Sequence, residues 1–198
     1  MARMIPDVTP SGSGAEARVY EALRDQTSDE YVAIHSIPWL ARDPAMGGRP
    51  EGEIDFLVIH PLHGLLAIEV KGGQVFYDPS KDGWTSKGRN GVQPIKAPHA
   101  QAAAGVRRVI DRLKGVPGLG GQTPRVGHAV LFPDGYLPRS LPMDAETVWF
   151  GAECLDDMPG ALDRGWVRAG VAERLARVAA GLPDGVTLVV WDGYRPLE

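Results

Sequence analysis

The stretch GEIDFLVIHPLHGLLAIEVKGG, residues 52–73, constrains what this chain can fold into more than any other. Two mostly aliphatic runs flank HPLHG, which has the Pro and Gly of a turn, so the pattern predicts a buried antiparallel hairpin. Each run nevertheless carries charge: Asp55 in the first, Glu69 and Lys71 in the second. Residues two apart on a strand share a face. Glu69 and Lys71 therefore point with Leu65 and Ala67, and Asp55 points with Leu57 and Ile59. If HPLHG is a five-residue loop, Ile59 lies against Leu65 and the register carries Asp55 opposite Glu69. A loop of four residues would shift the register by one and remove that pairing. Like charges directly opposed, with Cβ atoms about 4.5–5.5 Å apart, destabilise a strand pair. Two carboxylates placed so need a cation.

The rest of the composition narrows which cation. Cys154 is the single cysteine, which excludes a disulfide framework and a CxxC-type zinc site. Carboxylate oxygens without sulfur favour Mg²⁺ or Mn²⁺, which prefer oxygen ligands and keep several waters. Lys71, on the face of Glu69, adds a positive group that can hold an attacking water or stabilise charge on a phosphate. An ordinary charged edge strand closed by an ion pair fits the same trio. Glu53 shares the face of Asp55 and reads as strand-edge charge or a supplementary ligand. His60 and His63 flank the loop without a third ligand and read as solvent-facing. Gly72 and Gly73 allow close backbone approach or a bulge after Lys71. Cys154 has no basic neighbour and reads as an inert packing residue.

Around the hairpin, SGSGAEARVYEALRDQ places Ala15, Val19, Ala22 and Leu23 at helical spacing. YVAIHSIPWL reads as a strand, and ARDPAMGGRP after it as loop. QVFYD, a turn at PSKDG and a short strand at Trp84 extend the hairpin into an antiparallel meander. After a Pro-containing loop, NGVQPIKAP, a second helix puts Ala102, Val106, Val109, Ile110 and Leu113 on one face. GHAVLFP and TVWF read as strands, then AGVAERLARVAAGL as a helix and VTLVVW as a last strand. Strands interleaved with helices imply an α/β class, a sheet with helices packed against it.

At 198 residues and 43% hydrophobic the chain can bury one main core. MARMIPDVTPSG lacks the apolar centre of a signal peptide, and no run approaches the ~20 apolar residues of a membrane span. With the lone cysteine, this leads to an expectation of a soluble, cytoplasmic protein and no membrane partner. A net charge of −4 argues against coating nucleic acid by bulk electrostatics. Residues 81–114, however, carry an excess of +6, leaving −10 elsewhere. Within that segment Gln101, Arg108 and Arg112 form a stripe bordering the apolar face of the second helix, with Lys96 just before it. Such a stripe can contact phosphates without reading sequence, or be a solvated helix flank.

Ile54-Asp55 followed by Glu69-Val70-Lys71 resembles the PD-(D/E)xK nuclease core, with Ile54 in place of the usual Pro. More closely, SGAEARVYEAL, GEIDFLVIHPLHGLLAIEVKGG, Trp84, APHAQ and AVLFP, in this order, resemble the NERD domain, a nuclease-related domain often joined to DNA helicase modules. The resemblance implies a restriction-endonuclease-like core over 12–133, a mixed central sheet with an antiparallel hairpin flanked by helices. Residues 134–198 would form a C-terminal α/β extension, with room for a further domain in a longer protein. It also implies a metal-dependent deoxyribonuclease, with Mg²⁺ or Mn²⁺ at Asp55, Glu69 and Val70, Lys71 catalytic, and DNA and a helicase module as partners. Glu16 matches a helical glutamate that holds a metal-bound water or second ion, while Ser13-Gly14-Ala15-Glu16 equally fits a capping box. Gln101 matches a site glutamine, but related nucleases often place Tyr four residues on, where this chain has Gly105. A non-catalytic nucleic-acid-binding or adaptor module, and a phosphoesterase acting on a small substrate, are the alternatives.

Overall fold

The two apolar runs pair, and the remaining elements build outward from them. A computed structural model of the chain describes residues 1–40, 50–88, 91–119, 124–142 and 146–166. In chain order the elements are β1 (Arg3–Ile5), α1 (Gly14–Gln26), β2 (Val32–Leu40), β3 (Pro50–His60), β4 (Gly64–Val70), β5 (Gln74–Asp78), β6 (Gly83–Gly88), β7 (Gly91–Ile95), α2 (Pro98–Leu113), β8 (Val126–Leu131) and β9 (Thr147–Phe150). A helix over 158–166, α3, follows. Six strands form one mixed sheet in the order β1-β2-β3-β4-β8-β9. Its middle, β2-β3-β4, is antiparallel, and β1, β8 and β9 join in parallel. This is the mixed α/β sheet with a central hairpin that the sequence predicts.

Alternation along the strands sorts the core into two layers. On one face Phe56, Val58, Leu66 and Ile68 pack with Val19, Tyr20 and Leu23 of α1 and with Met158 and Leu162 of α3. On the other, Leu57, Leu65 and Ala67 pack with Val106 and Val109 of α2. Burying an aliphatic or aromatic side chain of this size contributes about 1.5–3 kcal/mol, so these layers hold the charged end of the hairpin in place. Cys154 sits in the α1 layer, and burial pushes its thiol up to about 12. That agrees with a packing role.

Three readings of the sequence are corrected here, and one strand is added to them. The meander predicted through Trp84 is two sheets: β3 and β4 belong to the main one, while β5, β6 and β7 form a separate antiparallel sheet. The segment read as a Pro-containing loop supplies β7, an edge strand in which Pro94 stands opposite Thr85. Pro lacks a donor, which an edge position tolerates. The amino-terminal residues, expected only to lack a signal peptide, add β1 alongside β2. Finally, helix begins at residue 158, before the segment expected to be helical. The helix and strand predicted over 169–182 and 186–191, and the loop over 41–49, lie outside the described residues. Among the described residues no helix is long and apolar enough to cross a membrane.

Candidate active site

The hairpin keeps the predicted register, Ile59 against Leu65, although only residues 61–63 form the loop and His60 pairs with Gly64. Strand pairing ends at Phe56 and Ile68. One step beyond it stand Asp55 and Glu69. Here the Val70 amide donates to Asp55 Oδ2 at 2.7 Å. β4 instead stays paired to β8, Glu69 beside Val130, and the Lys71 amide donates to the Leu131 carbonyl at 3.0 Å. Lys71 Nζ lies 2.5 Å from Glu69 Oε1.

Both carboxylates are buried, Asp55 at 7% and Glu69 at 4% exposure. Burial, and next the charge of Glu69, raise Asp55 to about 7, against the lowering effects of the Val70 amide and Lys71. Burial also raises Glu69; Lys71 opposes this, and Glu53 and Glu16 add to it. One lysine therefore faces a surplus of negative charge. Each pKa unit corresponds to about 1.4 kcal/mol disfavouring the ionised form, so the site is costly unless protonated or joined by a cation. Among the described residues no group of three or more His, Cys, Asp or Glu is set to hold a metal. The protein's donors here are two carboxylates and the backbone of Val70, whose side chain has none. That all-oxygen set fits a hard divalent cation, an ion that keeps several waters of its own.

Glu16 stands in the first turn of α1. Its backbone amide donates to the Ser13 hydroxyl at 3.3 Å, so Ser13 caps the helix. Among the described residues no bond returns from the Glu16 carboxylate to Ser13. That carboxylate instead acts on both Asp55 and Glu69. Opposite Asp55, Ser36 interrupts β2 with φ of 53°, between the pairs His35–Phe56 and Ile37–Ile54. A left-handed non-glycine residue costs about 1–2 kcal/mol. His35 packs toward Tyr20 and Phe56, whereas Ile37 and Ile54 join the α2 layer. The kink thus re-aims both strands beside the carboxylate.

Gln101 and Arg108 of α2 line a cleft of about 350 Å³ with Lys96, Glu53 and Gly52. The structure therefore brings Lys96, Gln101 and Arg108 together, next to the strand that carries Asp55. Arg112, one helical turn further, is exposed and does not line the cleft. Against known proteins, the model of the nuclease-related domain, NERD, matches residues 11–133. The chain belongs to the NERD family. No curated protein and no solved structure matches it.

In this NERD chain the two departures from the related nuclease pattern touch each other. A Cβ added at Gly105 would meet Ile54 Cγ1 at 2.9 Å. Ile54, standing in place of proline, occupies the room a tyrosine at 105 would need. The sequence reading missed Asp134, which looks like turn chemistry in FPDG. Its carboxylate pairs with Arg18 of α1 and accepts from the Gly73 amide. It thereby ties the helix of Glu16 to the turn that follows Lys71. That turn requires glycine: Gly73 has φ of +79°, and a Cβ there would lie 2.6 Å from Ser86 Oγ. A Cβ at Gly72 would press on Ala15 at 3.0 Å. Both are close approaches, as the sequence predicts.

The solvent-facing reading of the loop histidines is corrected for His60. It is only 5% exposed, packs on Tyr31 and stacks on His63, which in turn stacks on Trp166. A ring has apolar faces to bury, and Nδ1 accepts the Leu62 amide at 3.2 Å.

Proposed function

We propose that this NERD chain is a deoxyribonuclease that uses Mg²⁺ or Mn²⁺ to hydrolyse phosphodiester bonds. The observation that carries this reading is the pair of buried, mutually repelling carboxylates of Asp55 and Glu69 with Lys71 held on Glu69. Asp55, Glu69 and the Val70 carbonyl would hold the ion, which supplies charge neutralisation at the phosphate and a more acidic water. Asp55 is oriented by the Val70 amide. Lys71 keeps its ammonium at the reaction centre through Glu69 and stabilises negative charge as it develops on the phosphoryl oxygens. Glu16 orients the nucleophilic water by accepting its hydrogen bond. Lys96, Arg108 and Arg112 position the DNA backbone, and Gln101 borders its path. An adaptor without chemistry would gain nothing from keeping two carboxylates buried against each other's charge.

Cleavage of linear duplex DNA with and without Mg²⁺ tests the reading. The parent should cut, chelation should stop it, and Asp55→Asn should be inactive. Lys71→Ala should lose about 10²–10³-fold in turnover, comparable with removing one oxyanion donor. Parental cleavage by purified Lys71→Ala would remove its catalytic role.

A further inference from the structure

Beside the carboxylate centre lies a groove of about 450 Å³ between β5 and the segment after β8, lined in part by Gly73, Phe76, Tyr77, Tyr136, Leu137 and Arg139. We propose that this groove binds unpaired nucleotides of the substrate strand, stacking their bases on Phe76 and Tyr136. The inference rests on the nuclease reading above and specifies the substrate as DNA with a single-stranded end or gap.

Three observations lead there. First, the rings are held out in solvent on a well-supported frame: Phe76 is 51% and Tyr136 88% exposed. Val75 and Tyr77, flanking Phe76 on β5, turn inward against Trp84. Large aromatics left open on one concavity suit a ligand with flat π-faces, and stacking accepts any base. Second, the groove begins close to the centre. Gly73 lines it and lies two residues from Lys71, a span of at most about 7 Å. Each nucleotide of a duplex strand advances about 3.4 Å along the helix axis, and more along an extended single strand, so the groove begins within about two nucleotides of the bond to be cut. Third, the charge suits a polyanion. The one carboxylate on that wall nearest the centre, Asp134, is taken up by Arg18 and the Gly73 amide. Among the described residues no carboxylate pairs with Arg139, which leaves its guanidinium for a phosphate. A paired base keeps its faces against its neighbours in the duplex. An unpaired one can offer them to Phe76 and Tyr136.

Fluorescence anisotropy in calcium, with a blunt duplex and the same duplex carrying a short single-stranded tail, tests this directly. The parent should prefer the tailed DNA. Phe76→Ala and Tyr136→Ala should each weaken tailed binding about fivefold or more, since stacking contributes upward of about 1 kcal/mol per base. Blunt-duplex affinity should not change, and Tyr136→Phe, which keeps the ring, should match the parent. Equal parental affinity for the two DNAs overturns the proposal. So does a parental preference that survives both alanine substitutions. Asp55→Asn separates this from the catalytic reading: it should lose cleavage and keep the preference for the tail. Should the parent cut neither DNA while the preference and its loss in the alanine variants persist, the groove stands and the nuclease reading falls.

Discussion

The β3–β4 pairing is bounded by two polar side chains of β3 buried to nearly the same depth, His60 at 5% and Asp55 at 7% exposure, yet their surroundings differ. At the loop end, His60 has ring neighbours in Tyr31, His63 and Trp166 and a bonded Nδ1. At the other end, burial and then the negative charge of Glu69 raise Asp55 to about 7, and neither the Val70 amide nor Lys71 offsets them. Burial depth alone therefore does not mark a functional residue. A buried group whose charge the surrounding protein leaves uncompensated does.

The contrast breaks most visibly in stability against pH. Asp55 is raised to about 7 in the folded chain, from about 3.9 in an unfolded one. The folded state thus holds a proton that the unfolded state releases between those values. Its stabilising contribution is complete below about pH 4 and is lost as pH rises through about 7, amounting to at most about 4 kcal/mol. Asp55→Asn, which can still accept the Val70 amide, should therefore unfold at higher urea than the parent at pH 8. The two should converge toward pH 4. His60→Ala should move the other way at pH 8, by about 1–3 kcal/mol, because it deletes packing. If Asp55→Asn is less stable than the parent at pH 8, the strain assigned to this end is absent.

A smaller effect separates two residues of one motif. Ser13→Ala should cost about 1 kcal/mol, the usual loss of a helix cap, with cleavage intact once folded. Glu16→Gln should leave stability nearly unchanged and lower turnover, because the cap uses the Glu16 amide and not its carboxylate. Urea titration and cleavage rates on both variants decide this. The reverse pattern would return Glu16 to a purely structural role.

How much of this was legible in the sequence follows from how each feature is encoded. The hairpin register was readable because two apolar runs with a period of two are punctuated by Pro and Gly. The carboxylate pair followed from that register. β7 was hidden by Pro94, which argues against a strand unless the strand is known to be an edge. The split into two sheets was hidden because Gly72 and Gly73 redirect the chain without interrupting the strand pattern on either side. Asp134 was hidden because its partners, Arg18 and Gly73, are far away in sequence. Alternation would also place Ile54 with Phe56. The φ of 53° at Ser36, which no local pattern announces, accompanies its move into the α2 layer.

The smallest effect concerns the cleft. Lys96→Ala and Arg108→Ala should each reduce the log-log salt slope of duplex binding by about 0.9. Arg112→Ala should do less, since Arg112 stands outside the cleft. Equal changes from all three would mean that DNA runs along the whole helix.

Calorimetric titration of Mn²⁺ at pH 8 into the parent, Asp55→Asn and Glu69→Gln addresses the charged end of the hairpin most directly. The parent should bind, and both variants should fold and show no titratable binding. Manganese binding of parental affinity in both variants would contradict a metal centre at Asp55 and Glu69.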